Sequence, residues 1–167
     1  MRKLRTVAVA SIALVLPLAM PTVVKAATTS VTTEILASGV IVKHLPAAIV
    51  GPAAASQCDP GFACFFQNGG AGGSMIEFNA AAVSLANLTA FLCSGCTNGI
   101  HGNDGTWNDQ MSSWVNNSSV TYCWWVDINR GGAGHLVRPL GQGYIQNLPG
   151  NENDTASSVG QATGGCR

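Results

Sequence analysis

One six-residue pattern occurs twice in this 167-residue chain. Asn108-Asp109-Gln110-Met111-Ser112-Ser113 precedes Trp114, and Asn153-Asp154-Thr155-Ala156-Ser157-Ser158 precedes Val159. Both copies read Asn-Asp-x-x-Ser-Ser and then an apolar residue able to begin a strand. Four fixed positions in six seldom recur by chance over so short a length, so the two segments are read as the ends of two related units.

The stretches upstream of the two copies support that division. Phe62-Ala63-Cys64-Phe65-Phe66 reads as a strand, Gln67 to Gly73 as a glycine-rich turn and Ser74-Met75-Ile76-Glu77-Phe78 as a second strand. The order returns as Tyr122 to Val126, a turn over Asp127 to Gly132, and His135 to Arg138. In both, an aromatic is followed seven positions later by glycine (Phe66 and Gly73, Trp125 and Gly132), and Cys64 matches Cys123. From cysteine to closing segment the first copy takes 44 positions and the second 30. The surplus is assigned to a surface loop over Leu92 to Gly105, where Cys93-Ser94-Gly95-Cys96 sits in a Gly/Asn-rich run. Short strands with glycine turns predict an all-β domain of Greek-key type, with Val83 to Phe91 as the one stretch able to make a helical turn. Trp107, Trp114, Trp124 and Trp125 are assigned to the core rather than to a carbohydrate platform.

The N-terminus has the layout of a secretory signal over residues 1–26. Arg2, Lys3 and Arg5 precede an apolar run from Val7 to Leu18, and Val24-Lys25-Ala26 offers a cleavage site. The run is short and proline-broken, which argues for cleavage over a membrane anchor. The remaining chain keeps Lys43, Arg130, Arg138 and Arg167 against eight acids, a net charge of −4. No basic patch is left to follow a phosphate backbone, so nucleic acid is excluded as a partner, and a membrane is excluded once the signal is removed. Residues 27–57, rich in Ala, Thr and Val, are read as a poorly ordered spacer or pro-segment, with Lys43-His44 solvated; an extra docked strand around Val40-Ile41-Val42 is the alternative. The domain is then 58–167. Its six cysteines, in an exported chain, form a disulfide framework. Nearness suggests Cys58–Cys64, Cys93–Cys96 and Cys123–Cys166, although the sequence itself does not choose among the pairings. A redox pair or a zinc site with His101 at Cys93-x-x-Cys96 is disfavoured for want of a strand-to-helix setting and a fourth ligand.

The aromatic-to-glycine turn and Asn-Asp-x-x-Ser-Ser, twice over, resemble the βγ-crystallin Greek-key motif in its microbial form. Cys58-Asp59-Pro60-Gly61-Phe62-Ala63-Cys64-Phe65 and the turn after Phe66 resemble, more narrowly, peptidase inhibitor family I36, of the Streptomyces metalloproteinase inhibitor type. The resemblance covers about residues 58–160 and implies a βγ-crystallin-like sandwich of two motifs. The chain departs from the family at Ala71 and Arg130, where a second aromatic is common, and in the insertion around Cys93 and Cys96. The resemblance also implies calcium, a hard cation that prefers oxygen ligands. Asp109, the Gln110 backbone and Ser112 would serve one ion, and Asp154, the Thr155 backbone and Ser157 the other. A further ligand for each would come from the opposite motif near Gln67 or Val126. Ser113 and Ser158 are assigned to fixing the local backbone.

No hydrolase or phosphate-loop motif surrounds His44, His101 or His135, so the chain is read as a binding protein and not an enzyme. The reading implied by the resemblance is a secreted, monomeric inhibitor of extracellular metallopeptidases that acts by substrate-like loop insertion. A calcium-binding structural or stress protein is the second reading, and a secreted antimicrobial toxin on the same scaffold the third.

Overall fold

The structure, a computed structural model, describes residues 30–36, 40–79, 84–85, 87–93, 96, 105–141 and 143–167. The expected signal peptide lies outside these residues, as does most of the loop between Leu92 and Gly105. The strands are β1 (Thr32–Ile35), β2 (Ile41–His44), β3 (Phe62–Asn68), β4 (Gly72–Asn79), β5 (Ser84–Leu85), β6 (Ser113–Asn116), β7 (Tyr122–Trp125), β8 (Gly134–Val137), β9 (Gln146–Asn147) and β10 (Ser158–Gln161). One short helix, α1, spans Pro52–Ala55, and the only other helical turns among the described residues are 3-10 turns at Leu88–Ala90 and Ile128–Arg130.

Two antiparallel sheets result, ordered β1-β2-β4-β3-β6-β9 and β5-β10-β7-β8. The first motif is β3 to β6 and the second β7 to β10. Each keeps three of its strands together and lends the third, β5 or β9, to the other sheet, which is the Greek-key exchange. The registers repeat as well: Phe65 faces Trp114 in one sheet and Trp124 faces Val159 in the other. Between the sheets lies the main core, which holds Phe65, Phe78, Trp107, Tyr122 and Trp124. Phe78 packs edge-on against Phe65 at 4.9 Å and against Tyr122 at 5.1 Å, the T-shaped arrangement aromatic quadrupoles favour. All four tryptophans are buried, so none offers a carbohydrate platform.

The reading of residues 27–57 as a spacer is corrected from Val40 onward. β2 pairs in register with β4, from Ile41 opposite Glu77 to His44 opposite Ser74. Leu45, Ala54 and Ala55 then cover the outer face of the first sheet, forming a second core with Cys64, Phe66, Met75 and Val115. The physical cause is visible in β3. A strand with one solvated face alternates apolar and polar residues, whereas Phe62 to Phe66 is apolar at every position and needs a cover on both sides. Lys43 is likewise buried rather than solvated. Its Nζ contacts Glu77 Oε1 at 2.7 Å, Asp59 Oδ1 at 3.1 Å and the Gln57 carbonyl at 2.6 Å. Glu77 has no solvent exposure; burial raises its pKa, against the opposing pull of Lys43.

Disulfides join Cys58 to Cys64, Cys93 to Cys96 and Cys123 to Cys166, with Cα separations of 5.9, 5.3 and 5.5 Å. The second sits at the base of a two-stranded stalk in which Leu92 bridges Thr106 and Cys93 N–H donates to the Gly105 carbonyl at 2.7 Å.

Candidate functional site

The repeated segments meet at the junction of the two motifs. Asp109 and Asp154 both adopt left-handed backbone geometry, at φ 55° and 57°, which aspartate tolerates better than most residues. This turn lays the segments side by side. Asp109 N–H donates to the Ala156 carbonyl at 2.9 Å, and Asp154 N–H donates to the Met111 carbonyl at 3.0 Å. The preceding asparagines steady the carboxylates: Asn108 Nδ2 donates to Asp109 Oδ2 at 2.8 Å and Asn153 Nδ2 to Asp154 Oδ2 at 2.5 Å.

This geometry regroups the residues expected to hold metal. Ser112 Oγ donates to Asp154 Oδ1 at 3.2 Å, and Ser157 Oγ donates to Asp109 Oδ1 at 3.2 Å. Each aspartate thus reaches the serine of the other repeat, where the sequence reading groups Asp109 with Ser112 and Asp154 with Ser157. Ser112 Oγ also lies 2.7 Å from the Gln67 carbonyl of its own motif, not of the opposite one. Thr155 spends its hydroxyl on the Glu152 carbonyl at 2.7 Å, and Gln110 is fully buried.

The two clusters differ in solvation. Asp154 is buried and Asp109 only half so. Burial raises the Asp154 pKa, and the nearby Asp109 charge adds to the rise while the Ser112 hydrogen bond opposes it. A carboxylate, a hydroxyl and a carbonyl together suit a hard cation such as calcium; Asp154, Ser112 and the Gln67 carbonyl make such a set, while Asp109 and Ser157 supply a carboxylate and a hydroxyl. No group of three or more His, Cys, Asp or Glu side chains converges among the described residues.

The second serines pin the hairpin corners. Ser113 Oγ donates to the Asn68 carbonyl at 2.7 Å and accepts from Ala71 N–H at 3.0 Å. Ser158 Oγ does the same with the Asp127 carbonyl at 2.7 Å and Arg130 N–H at 3.0 Å. Both corners then turn on a glycine of positive φ, Gly73 and Gly132, where a β-carbon would fall within 2.8 Å of Asn68 Nδ2 and 2.4 Å of Val126 Cγ2. Ala71 and Arg130, the two departures from the family pattern, share left-handed φ values of 55° and 63°. Arg130 replaces the missing aromatic by laying its guanidinium 5.5 Å from the Trp125 ring centroid.

Sequence reasoning missed two features. The Lys43–Glu77 pair joins residues assigned to different regions, and its only signal was an isolated Glu inside an apolar strand. The second is a cavity of about 300 Å³ between Trp114, Trp124 and the segment after β8. At its edge the His135 ring stacks on Trp124 at 4.1 Å, and His135 Nδ1 lies 3.3 Å from Glu152 Oε2. No helix among the described residues is long and apolar enough to cross a membrane.

Comparison with known proteins adds three findings. The family model for peptidase inhibitor family I36 matches residues 51–137, just over half the chain. Among curated proteins, none matches. Among solved structures, a βγ-crystallin from Ciona intestinalis is similar at 24% identity and a TM-score of 0.43, over 60% of this chain and 99% of that one. Another, described under the evolution of the eye-lens βγ-crystallin domain fold, is similar at 15% identity and a TM-score of 0.46, over 63% of this chain and 88% of the other.

Proposed function

This chain belongs to peptidase inhibitor family I36, and from that premise we propose that it is an exported inhibitor of extracellular metallopeptidases of the thermolysin kind. The observation that carries the reading is the family match over residues 51–137. An inhibitor of this type gains affinity by presenting an already rigid segment to the active cleft, so that little conformational entropy is lost on docking. Three disulfides and two serine-pinned corners supply such a frame. The protein's role is occlusion, with no bond-making step of its own. The deciding experiment is a panel of thermolysin- and subtilisin-type peptidases titrated with the purified chain. Inhibition of the metallopeptidases at micromolar protein or below is expected; full activity across the panel removes the reading.

A second reading, calcium binding, is favoured by the crossed aspartate–serine clusters. Asp154 and Ser112 would hold one ion with the Gln67 carbonyl, and Asp109 and Ser157 the other, with the Gln110 and Thr155 backbones contributing. The two cations would each neutralise one of the two carboxylates that repel one another across the junction. Calorimetry at millimolar Ca²⁺ should show heat and a raised melting temperature; neither effect means that the clusters serve only to join the motifs.

A further inference from the structure

Lys43, Asp59 and Glu77 meet beneath the cover of the first sheet, in a cluster that neither the inhibitor reading nor the calcium reading uses. Lys43 Nζ lies 3.1 Å from Asp59 Oδ1, 2.7 Å from Glu77 Oε1 and 2.6 Å from the Gln57 carbonyl. Glu77 Oε1 also accepts from Asp59 N–H at 3.4 Å, so one oxygen touches both the amine and the residue that carries the second carboxyl. The other oxygen, Oε2, is buried with no hydrogen-bond partner among the described residues. Glu77 has no solvent exposure and Lys43 is buried, whereas the Asp59 side chain is half exposed. A buried pair serving stability alone would satisfy both oxygens of its carboxylate, because a stranded acceptor costs stability.

All three groups are held in place by the backbone. Lys43 is paired opposite Met75, and Glu77 opposite Cys64. Asp59 follows Cys58, which is joined to Cys64, and its carbonyl accepts from Phe62 N–H at 3.1 Å. Amide formation between a free amine and a free carboxyl is disfavoured in water, where the solvent drives hydrolysis. Fixing the two groups in contact changes that balance, since effective molarities for well-oriented intramolecular partners reach about 10⁵–10⁸ M. Burial on the Glu77 side also keeps bulk water from one flank of the pair.

We propose that Lys43 Nζ and the Asp59 carboxyl condense into an intrachain isopeptide bond, with Glu77 as the catalytic group that moves the protons. The ion pair is the state before condensation. Glu77 Oε1 takes a proton from the Lys43 ammonium, and the freed lone pair attacks Asp59 Cγ to form the C–N bond. Glu77 returns that proton to a departing Asp59 oxygen, a second nitrogen proton follows by the same route, and the C–O bond breaks. One ammonium and one carboxylate thus become one neutral amide and one water, which leaves by the solvated side of Asp59, and Glu77 is regenerated. Burial already favours the protonated form of Glu77 that the step passes through. The product ties β2 covalently to the base of β3, and it stands whether or not the chain inhibits a peptidase. The test is mass spectrometry of the purified chain with its disulfides reduced and alkylated. The segment holding Lys43 and Asp59 should be lighter by one water, with tandem fragmentation placing the link on these two residues. Pro60 has no N–H, so Asp59 cannot lose water by closing a ring on the next peptide nitrogen. Lys43→Arg, Asp59→Ala and Glu77→Gln should each restore the full mass; if Glu77→Gln fails to melt cooperatively, Asp59→Ala, at a half-exposed position, supplies the folded control. A parent chain of full mass overturns the proposal and leaves a salt bridge. A missing water that fragmentation places on Lys43 and Glu77 overturns the choice of Asp59, and a link that persists in folded Glu77→Gln overturns the role of Glu77.

Discussion

The two Greek-key motifs share a corner geometry and differ in how their outer faces are covered. In the first, Cys64, Phe66 and Met75 are fully buried on the outside of the sheet beneath Leu45 and α1. The second has no such layer among the described residues. Cys123 and Trp125 are shielded there by the Arg130 guanidinium and by the C-terminal tail, which the Cys123–Cys166 disulfide holds in place. Gly134 has no side chain because the Cys166 carbonyl and Trp125 Nε1 each come within 2.6 Å of where a β-carbon would stand. One sequence repeat has thus acquired two kinds of roof: an apolar layer with a buried ion pair, and a covalent staple with a cation over an indole. Apolar cover is cooperative with the core, whereas a staple acts largely by restricting the unfolded chain.

The largest effect that would sharpen this contrast is expected from Lys43→Met. It strands the Glu77 carboxylate in the interior, and breaking a buried pair in this way costs about 3–5 kcal/mol. Chemical denaturation at neutral pH measures it. The loss should shrink on acidification: the folded-state pKa of Glu77 is raised by burial, so stability withheld above that pKa returns as the carboxyl takes up its proton. A loss independent of pH would mean that packing of the Lys43 stem, not charge, holds the roof.

Next in size is the staple. Replacing Cys123 and Cys166 together by serine opens a link of sequence separation 43, against 6 for Cys58–Cys64. Loop-closure entropy predicts a loss of about 2–4 kcal/mol for the longer link and less for the shorter. Equal losses on thermal unfolding would break the comparison, since the staple would then be no more important to its motif than the short loop is to the other.

The smallest effect separates the two clusters at the junction. Asp154→Asn should stabilise the calcium-free protein at neutral pH by on the order of 1 kcal/mol or less, because it removes a charge that burial disfavours. The raised Asp154 pKa makes the parent chain gain stability as pH falls through it, and the variant should lack that gain. Asp109→Asn, at the more solvated cluster, should change melting less. Opposite ordering would place the buried charge on the other repeat.

Much of the fold could be read from local pattern. Asn-Asp-x-x-Ser-Ser encodes its own left-handed aspartate and its pinning serine within six residues, and the aromatic-to-glycine turns encode the corners. Both are short-range requirements of backbone geometry. The uninterrupted apolar run of β3 even carried the message that a second cover was needed, though not which segment supplies it. The family resemblance, too, rested on these local signals and on a cysteine spacing.

What the sequence alone determined is therefore the pair of motifs and the composition of the oxygen clusters. Only the tertiary structure decided which aspartate meets which serine, because the left-handed turns set the segments side by side and send each carboxylate across the junction. It also brought Lys43 to Glu77. Contacts of this kind depend on where distant strands pack, and no window of the chain contains both partners.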